Sequence, residues 1–256
     1  TLSNKYDETV CTAGIDENGN WIRIYPVPYR KLYTRYKKYQ WITLDLIKRT
    51  ADPRPESLNP SNIEEISLLN TLGTENDWAE RKSYIFKTKI YTNKEEIVRL
   101  AHENKLSLVT FKPAKIIDFV IKPIEREWPK KKMEYILSKL KQESLFSEAQ
   151  EFVLMPKIPY KFSYQFIDDK GIKSTLMIED WEVCQLYLNL VKREGNEKIA
   201  CQKVKEKYMS FVQNKDVYLF LGTTYKQHIR QSKNPFVIIG VFCPPIEKQK
   251  DLFSQF

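Results

Sequence analysis

Glycine is scarce in this chain, with 7 among 256 residues. Phosphate loops and dinucleotide fingerprints need glycines where backbone approaches a ligand, and the sequence holds neither a GxGxxG nor a GxxxxGK[ST] run. Histidine is scarcer still, His102 and His228 alone, so no Ser-His-Asp or Cys-His order stands out. The four cysteines, Cys11, Cys184, Cys201 and Cys243, lie far apart with no CxxC pair. That argues against structural zinc, and it fits buried thiols in a reducing cytoplasm. The longest apolar runs, VYLFL at 217–221 and FVIIGVF at 236–242, fall short of the roughly 20 residues that cross a bilayer. No membrane span is expected, and the first ten residues show no apolar signal core.

What the chain does have is aromatic and basic side chains. Apolar residues make up 42% and charged ones 29%, 28 residues are Tyr or Phe, and the net charge is +9. This is a globular composition with enough residues for a substantial core. The excess charge is local. Between Arg23 and Arg54, nine Lys or Arg face two acids, Asp45 and Asp52, a net of +7. Such a field favours a polyanion, nucleic acid before an anionic membrane surface.

The pattern predicts an α+β fold: a mixed sheet or small barrel-like N-terminal part with hairpins and interspersed helices. Residues 9–28 read as a hairpin turning at Asn18-Gly19, with Pro26 and Pro28 ending its second strand. Tyr29, Leu32, Tyr33 and Tyr36 fall on one helix face, and 40–48 reads as a strand. Capping-box patterns at Ser61–Glu64 and Thr92–Glu95 predict helices, with a shorter one at ENDWAERK. A strand is expected at 114–124, a helix at 130–146 and an alternating hairpin from Tyr160 to Asp180. Two helices and two buried strands then close the chain. A weak boundary near 147–158 gives two parts, 1–150 and 151–256, or one continuous domain.

Three stretches carry candidate chemistry. The first is the basic, aromatic-interleaved region. Arg23, Arg30, Lys31, Arg35, Lys37, Lys38, Lys48, Arg49 and Arg54 are candidate phosphate contacts. Tyr39 and Trp41, outside the helical stripe, are candidate stacking rings, whereas Tyr29, Tyr33 and Tyr36 read as packing. The second is the strand Tyr160, Phe162, Tyr164, Phe166, whose rings read as core. The third is the polar loop between the last two strands, with Thr223, Thr224, Tyr225, Lys226, His228 and Arg230. Asp168 and Asp169 read as turn residues facing water, and residues 178–180 as a cap for the following helix.

These features point to a nucleic-acid-binding module, for DNA or RNA. One alternative is a nuclease or nucleotide-processing enzyme. It would act either through His228 and Lys226 in the 223–230 loop or through Asp52 and Glu56, which follow a strand beside the basic patch. Another is a basic subunit of a larger assembly, with a protein partner or a second copy. No cofactor is expected; Mg²⁺ enters only with the nuclease alternative.

Overall fold

The computed structural model describes residues 9–28, 36–130, 133, 134, 138 and 157–246. Its class is the expected α+β, built on separate sheets, with no closed barrel among the described residues. Strands β1 (Thr9–Ile15) and β2 (Trp21–Pro28) form the predicted hairpin. The turn is not type I′, because only Gly19 has positive φ (88°) and Asn18 does not. A five-residue loop forms instead, held by Asp16, whose carboxylate accepts from the amides of Asn18 and Asn20. A Cβ on Gly19 would lie 2.7 Å from the Lys87 backbone, so the loop docks closely there. Pro28 is the last residue of β2, as expected, and pairs with Thr9, whereas Pro26 lies inside the strand. Pro26 sits where the register slips between Val10 and Thr12, a bulge at which a missing donor is tolerated.

The segment 40–48 is not one strand. It divides into β3 (Gln40–Thr43) and β4 (Leu46–Lys48), which join different sheets. With β5 (Ser57–Pro60), the first sheet runs β1-β2-β5-β4. The helix expected after Ser61 is replaced by a 3₁₀ turn at Ile63–Glu65 and by β6 (Ser67–Thr71), antiparallel to β3. Helix α1 (Glu75–Ile85) covers ENDWAERK, but Asn76, Asp77 and Trp78 hold left-handed φ of 48°, 56° and 66°. Such geometry costs an L-residue about 1–2 kcal/mol. Tertiary packing holds Trp78 in it: its ring lies 5.7 Å from Phe242 and 6.4 Å from Tyr39, with the Arg81 guanidinium 4.9 Å above it. The expected helix at 29–38 falls on residues 29–35, outside the described residues, and Tyr36 and Lys37 are non-helical. The expected helix at 130–146 lies almost wholly outside them too.

Beyond Lys89 the elements are β7 (Ile90–Tyr91), α2 (Lys94–His102), β8 (Leu108–Phe111), β9 (Lys115–Pro123), β10 (Tyr160–Ile167), β11 (Lys173–Met177), α3 (Trp181–Glu194), α4 (Glu197–Asn214), β12 (Tyr218–Thr223), α5 (Tyr225–Ile229) and β13 (Phe236–Phe242). Asn93, not Thr92, caps α2 by accepting from the Glu96 amide, and Asp180 caps α3 as expected. Two sheets result, β11-β10-β9 and β13-β12-β8-β7. Strands from both sides of residue 150 pair in each. The main core gathers α2, α3 and α4 against them, with Phe162, Tyr164 and Phe166 fully buried, as their alternation predicts. Asp168 is also buried: rather than facing water, it accepts from the amides of Lys94, Lys170 and Ile172.

Strand β12 is covered on both faces. Leu219 and Leu221 point into the main core. Phe220, with Phe242 of β13, meets the N-terminal rings Trp21, Tyr39 and Trp78 and the α1 residue Ile85. A Cβ on Gly240, opposite Phe220, would lie 3.1 Å from that ring. Among the described residues, no helix is long and apolar enough to cross a membrane.

Candidate functional site

The loop from β4 to β5 carries Asp52-Pro53-Arg54-Pro55-Glu56. Two prolines flank Arg54, fix φ on either side of it and offer no N–H of their own, so side chains and remaining amides carry the polar contacts. Asp52 accepts from the Arg54 amide (3.2 Å) and takes its guanidinium in a fork, Nε to Oδ1 at 2.9 Å and Nη2 to Oδ2 at 2.6 Å. Both residues are buried, 4% and 7% exposed. Burial alone would raise the Asp52 carboxyl, but Arg54 outweighs it and holds the group below its ordinary value. The remaining Arg54 nitrogen, Nη1, donates to the Thr223 carbonyl at the end of β12 (2.7 Å). The 52–56 segment and the 223–230 loop, two separate candidates in the sequence, therefore meet.

Glu56 accepts from the Ser107 amide and hydroxyl, at 2.7 and 2.6 Å, and from the Leu108 amide at 3.2 Å. The Ser107 carbonyl and hydroxyl accept in turn from Arg23 Nη2, at 3.1 and 3.0 Å. Arg23 is 4% exposed, and burial lowers its pKa; a guanidinium stays protonated regardless. His228, 6% exposed, has Nδ1 3.1 Å from Thr223 Oγ1 and Nε2 2.9 Å from Asn104 Oδ1. Asn104 Nδ2 donates to the Pro53 carbonyl, which fixes the amide. Nε2 is then the protonated nitrogen and Nδ1 accepts from threonine. Burial, and then the Arg54 charge, push the imidazole pKa down and keep this neutral form.

Each candidate acid–base group is thus engaged inside the protein: His228 by Thr223 and Asn104, Asp52 by Arg54, Glu56 by residues 107–108. Among the described residues, no three His, Cys, Asp or Glu side chains group as a metal site.

The outer side of this junction is different. Residues 223–235 hold Lys226, Arg230 and Lys233 and no acid. All three cations are exposed, and their side chains make no ion pair or hydrogen bond among the described residues. Tyr225 is 48% exposed, with the Arg54 guanidinium 5.7 Å from its ring centroid, and Ile229 is 50% exposed. The loop is pinned: Thr224 caps α5, and His102, half-buried, lies with Nε2 3.1 Å from the Ser232 carbonyl.

The first sequence candidate looks different in three dimensions. Arg23 and Arg54, expected to face phosphate, are interior groups, because each finds protein acceptors. Arg49 donates to the Tyr25 carbonyl and Asn59, and its guanidinium lies 4.6 Å from the centre of the Tyr25 ring. Lys38 pairs with Glu182. Tyr39, itself at φ 64°, lies under Arg81 (4.2 Å) beside Trp78 and Phe242, and Trp41 meets Tyr84 edge-on at 4.9 Å. These rings pack on protein neighbours rather than forming an open stack. Lys37 and Lys48 stay exposed, the latter donating to the Pro55 carbonyl. Arg30, Lys31 and Arg35 lie outside the described residues.

Sequence reasoning missed Asn104, Ser107 and Lys233. Asn104 follows α2 with φ 54°, and asparagine just past a helix signals a left-handed stop; Ser107 gives no comparable signal.

Residues 91–256 match the family model of a domain of unknown function (DUF8757), and residues 1–87 match that of a second domain of unknown function (DUF8758). No curated protein and no solved structure matches the chain. The polar junction draws Arg23, Asp52, Arg54 and Glu56 from the first matched segment, and Asn104, Ser107, Thr223 and His228 from the other.

Proposed function

We propose that this chain, which belongs to the family of the domain of unknown function DUF8757, binds nucleic acid through the surface over its polar junction. One observation carries the reading: a loop with no acid and with three cations unpaired among the described residues, residues 223–235, is pinned in place by the buried Arg54–Asp52 pair and by His228. Such cations, held on a fixed support, suit a phosphate backbone, whose contacts are largely sequence-independent. The buried acid–base groups serve in this reading as the support. Lys37 and Lys48, both exposed, add further positive charge to the surface.

The test is fluorescence anisotropy with labelled DNA and RNA. Three phosphate contacts give a log–log salt slope of about −2.7 on duplex, hence a loss of about 40-fold in affinity between about 50 and 200 mM salt. Lys226→Glu with Arg230→Glu, both at exposed positions, is expected to keep the melting temperature and abolish most of that slope. Binding unchanged in the folded double variant would overturn the assignment of this surface.

A further inference from the structure

The geometry points to single-stranded nucleic acid as the ligand class, with Tyr225 as the residue on which a base stacks; this rests on the binding surface just proposed and goes on to name what it holds. Helix α5 is short, but Arg230 after it keeps right-handed backbone angles, φ −79° and ψ −1°, so helical spacing holds from Tyr225 to Arg230. Residues four apart then lie on one face, about 5–6 Å between Cβ atoms. Tyr225 and Ile229 make one such pair, both about half exposed. Lys226 and Arg230 make the adjacent pair, both unpaired among the described residues. An apolar stripe thus runs beside a basic stripe of the same repeat. A single strand presents the same two stripes, base faces on one side and phosphates on the other.

A duplex does not: its base faces are stacked inside, and it needs only the cations. The exposed ring distinguishes the two ligands, since an aromatic face gains a partner only where bases are unstacked. Tyr225 is also backed. Its ring neighbours the Arg54 guanidinium, which two Asp52 oxygens and the Thr223 carbonyl hold in place. Little ordering remains when a base arrives, and the nearby cation adds to stacking.

The experiment compares one labelled oligonucleotide, alone and annealed to its complement, in DNA and RNA forms, against wild type, Tyr225→Ala, Tyr225→Phe and Lys226→Gln/Arg230→Gln. Wild type is expected to favour the single strand. Tyr225→Ala should lower the ratio of single-strand to duplex affinity by about 5- to 150-fold, the range of one lost base stack. Tyr225→Phe should restore the ratio, because the ring suffices. The Gln pair should weaken both ligands and leave the ratio near its wild-type value. If the Gln pair weakens binding while Tyr225→Ala leaves the ratio unchanged, the stacking inference fails and the binding surface stands. Duplex preference in the wild type also defeats the inference. If wild type binds none of these ligands, the proposed function fails and takes this inference with it.

Discussion

Replacing Arg54 with Met removes one half of a buried ion pair while keeping most of the side-chain volume. In the wild type, Asp52 takes two guanidinium nitrogens and the Arg54 amide, and the Thr223 carbonyl takes a third nitrogen. Arg54→Met leaves a carboxylate with 4% exposure facing an apolar chain and leaves the Thr223 carbonyl short of a donor. Breaking a buried pair from one side costs about 3–5 kcal/mol. At this chain length each kcal/mol moves the melting temperature by about 2–4 °C, so a fall of about 6–20 °C is expected. The assay is thermal melting followed by circular dichroism at pH 7, at low and high salt. The loss should hardly respond to salt, because screening reaches buried charges weakly. Asp52→Leu combined with Arg54→Met removes both charges and should recover much of the loss. A loss below about 1 kcal/mol for the single variant, the value of an exposed pair, would refute the argument. So would a double variant as unstable as the single one, since the damage would then not come from the orphaned charge.

Two further predictions concern pH. The folded-state pKa of His228 lies below its ordinary value, so below about pH 6.5 the unfolded chain takes up the proton first. His228 stabilisation is therefore complete above about pH 7 and declines as pH falls through the unfolded value. His228→Gln should flatten that part of the stability profile between about pH 7 and 5; an unchanged slope counts against the buried neutral imidazole. Asp180 runs the other way. Burial pushes its carboxyl up to about 6 despite the pull of Lys38, so its contribution is full below the unfolded value and is lost as pH rises through about 6. Asparagine also caps helices, and Asp180→Asn should stabilise the fold at pH 8 by at most about 3 kcal/mol, at 1.36 kcal/mol per pKa unit, and so raise the melting temperature there. A lower melting temperature at pH 8 than in the wild type would show that the ionised carboxylate is needed.

Local signals in the sequence read well where local energies decide. The 160–177 hairpin follows from strict alternation, and the starts of α3 and α4 follow from Asp180 and Asn196, whose side chains accept from the next turn. The stretch after Ser61 misleads, because Leu68 and Leu69 mimic a helix face yet remain exposed and pair with β3, a choice made by distant residues. The candidate site divides along the same line. Residues 52–56 and 223–230 each stand out by composition, but their meeting depends on Arg54 reaching a carbonyl 169 residues away. Nor does residue type reveal that Arg23 and Arg54 have interior acceptors, two of them backbone carbonyls, of Ser107 and Thr223. A run of cations therefore reads as surface whether or not the fold supplies such partners. Ser107 acts partly through its amide and carbonyl, which any residue would offer.

Strand β12, buried on one face by the main core and on the other by the aromatic residues of the N-terminal segment, ties the two matched segments into one kinetic unit. Its amides from Leu219 to Gly222 hydrogen-bond within a sheet flanked by β8 and β13, and neither face reaches water unless one segment first lets go. Deuterium should enter those amides only through openings large enough to detach a whole segment, whereas the β3–β6 pair, whose β6 strand is exposed throughout, exchanges early. The slowest protons of β12 thus act as a clock for that detachment, and a substitution in either segment will be felt there.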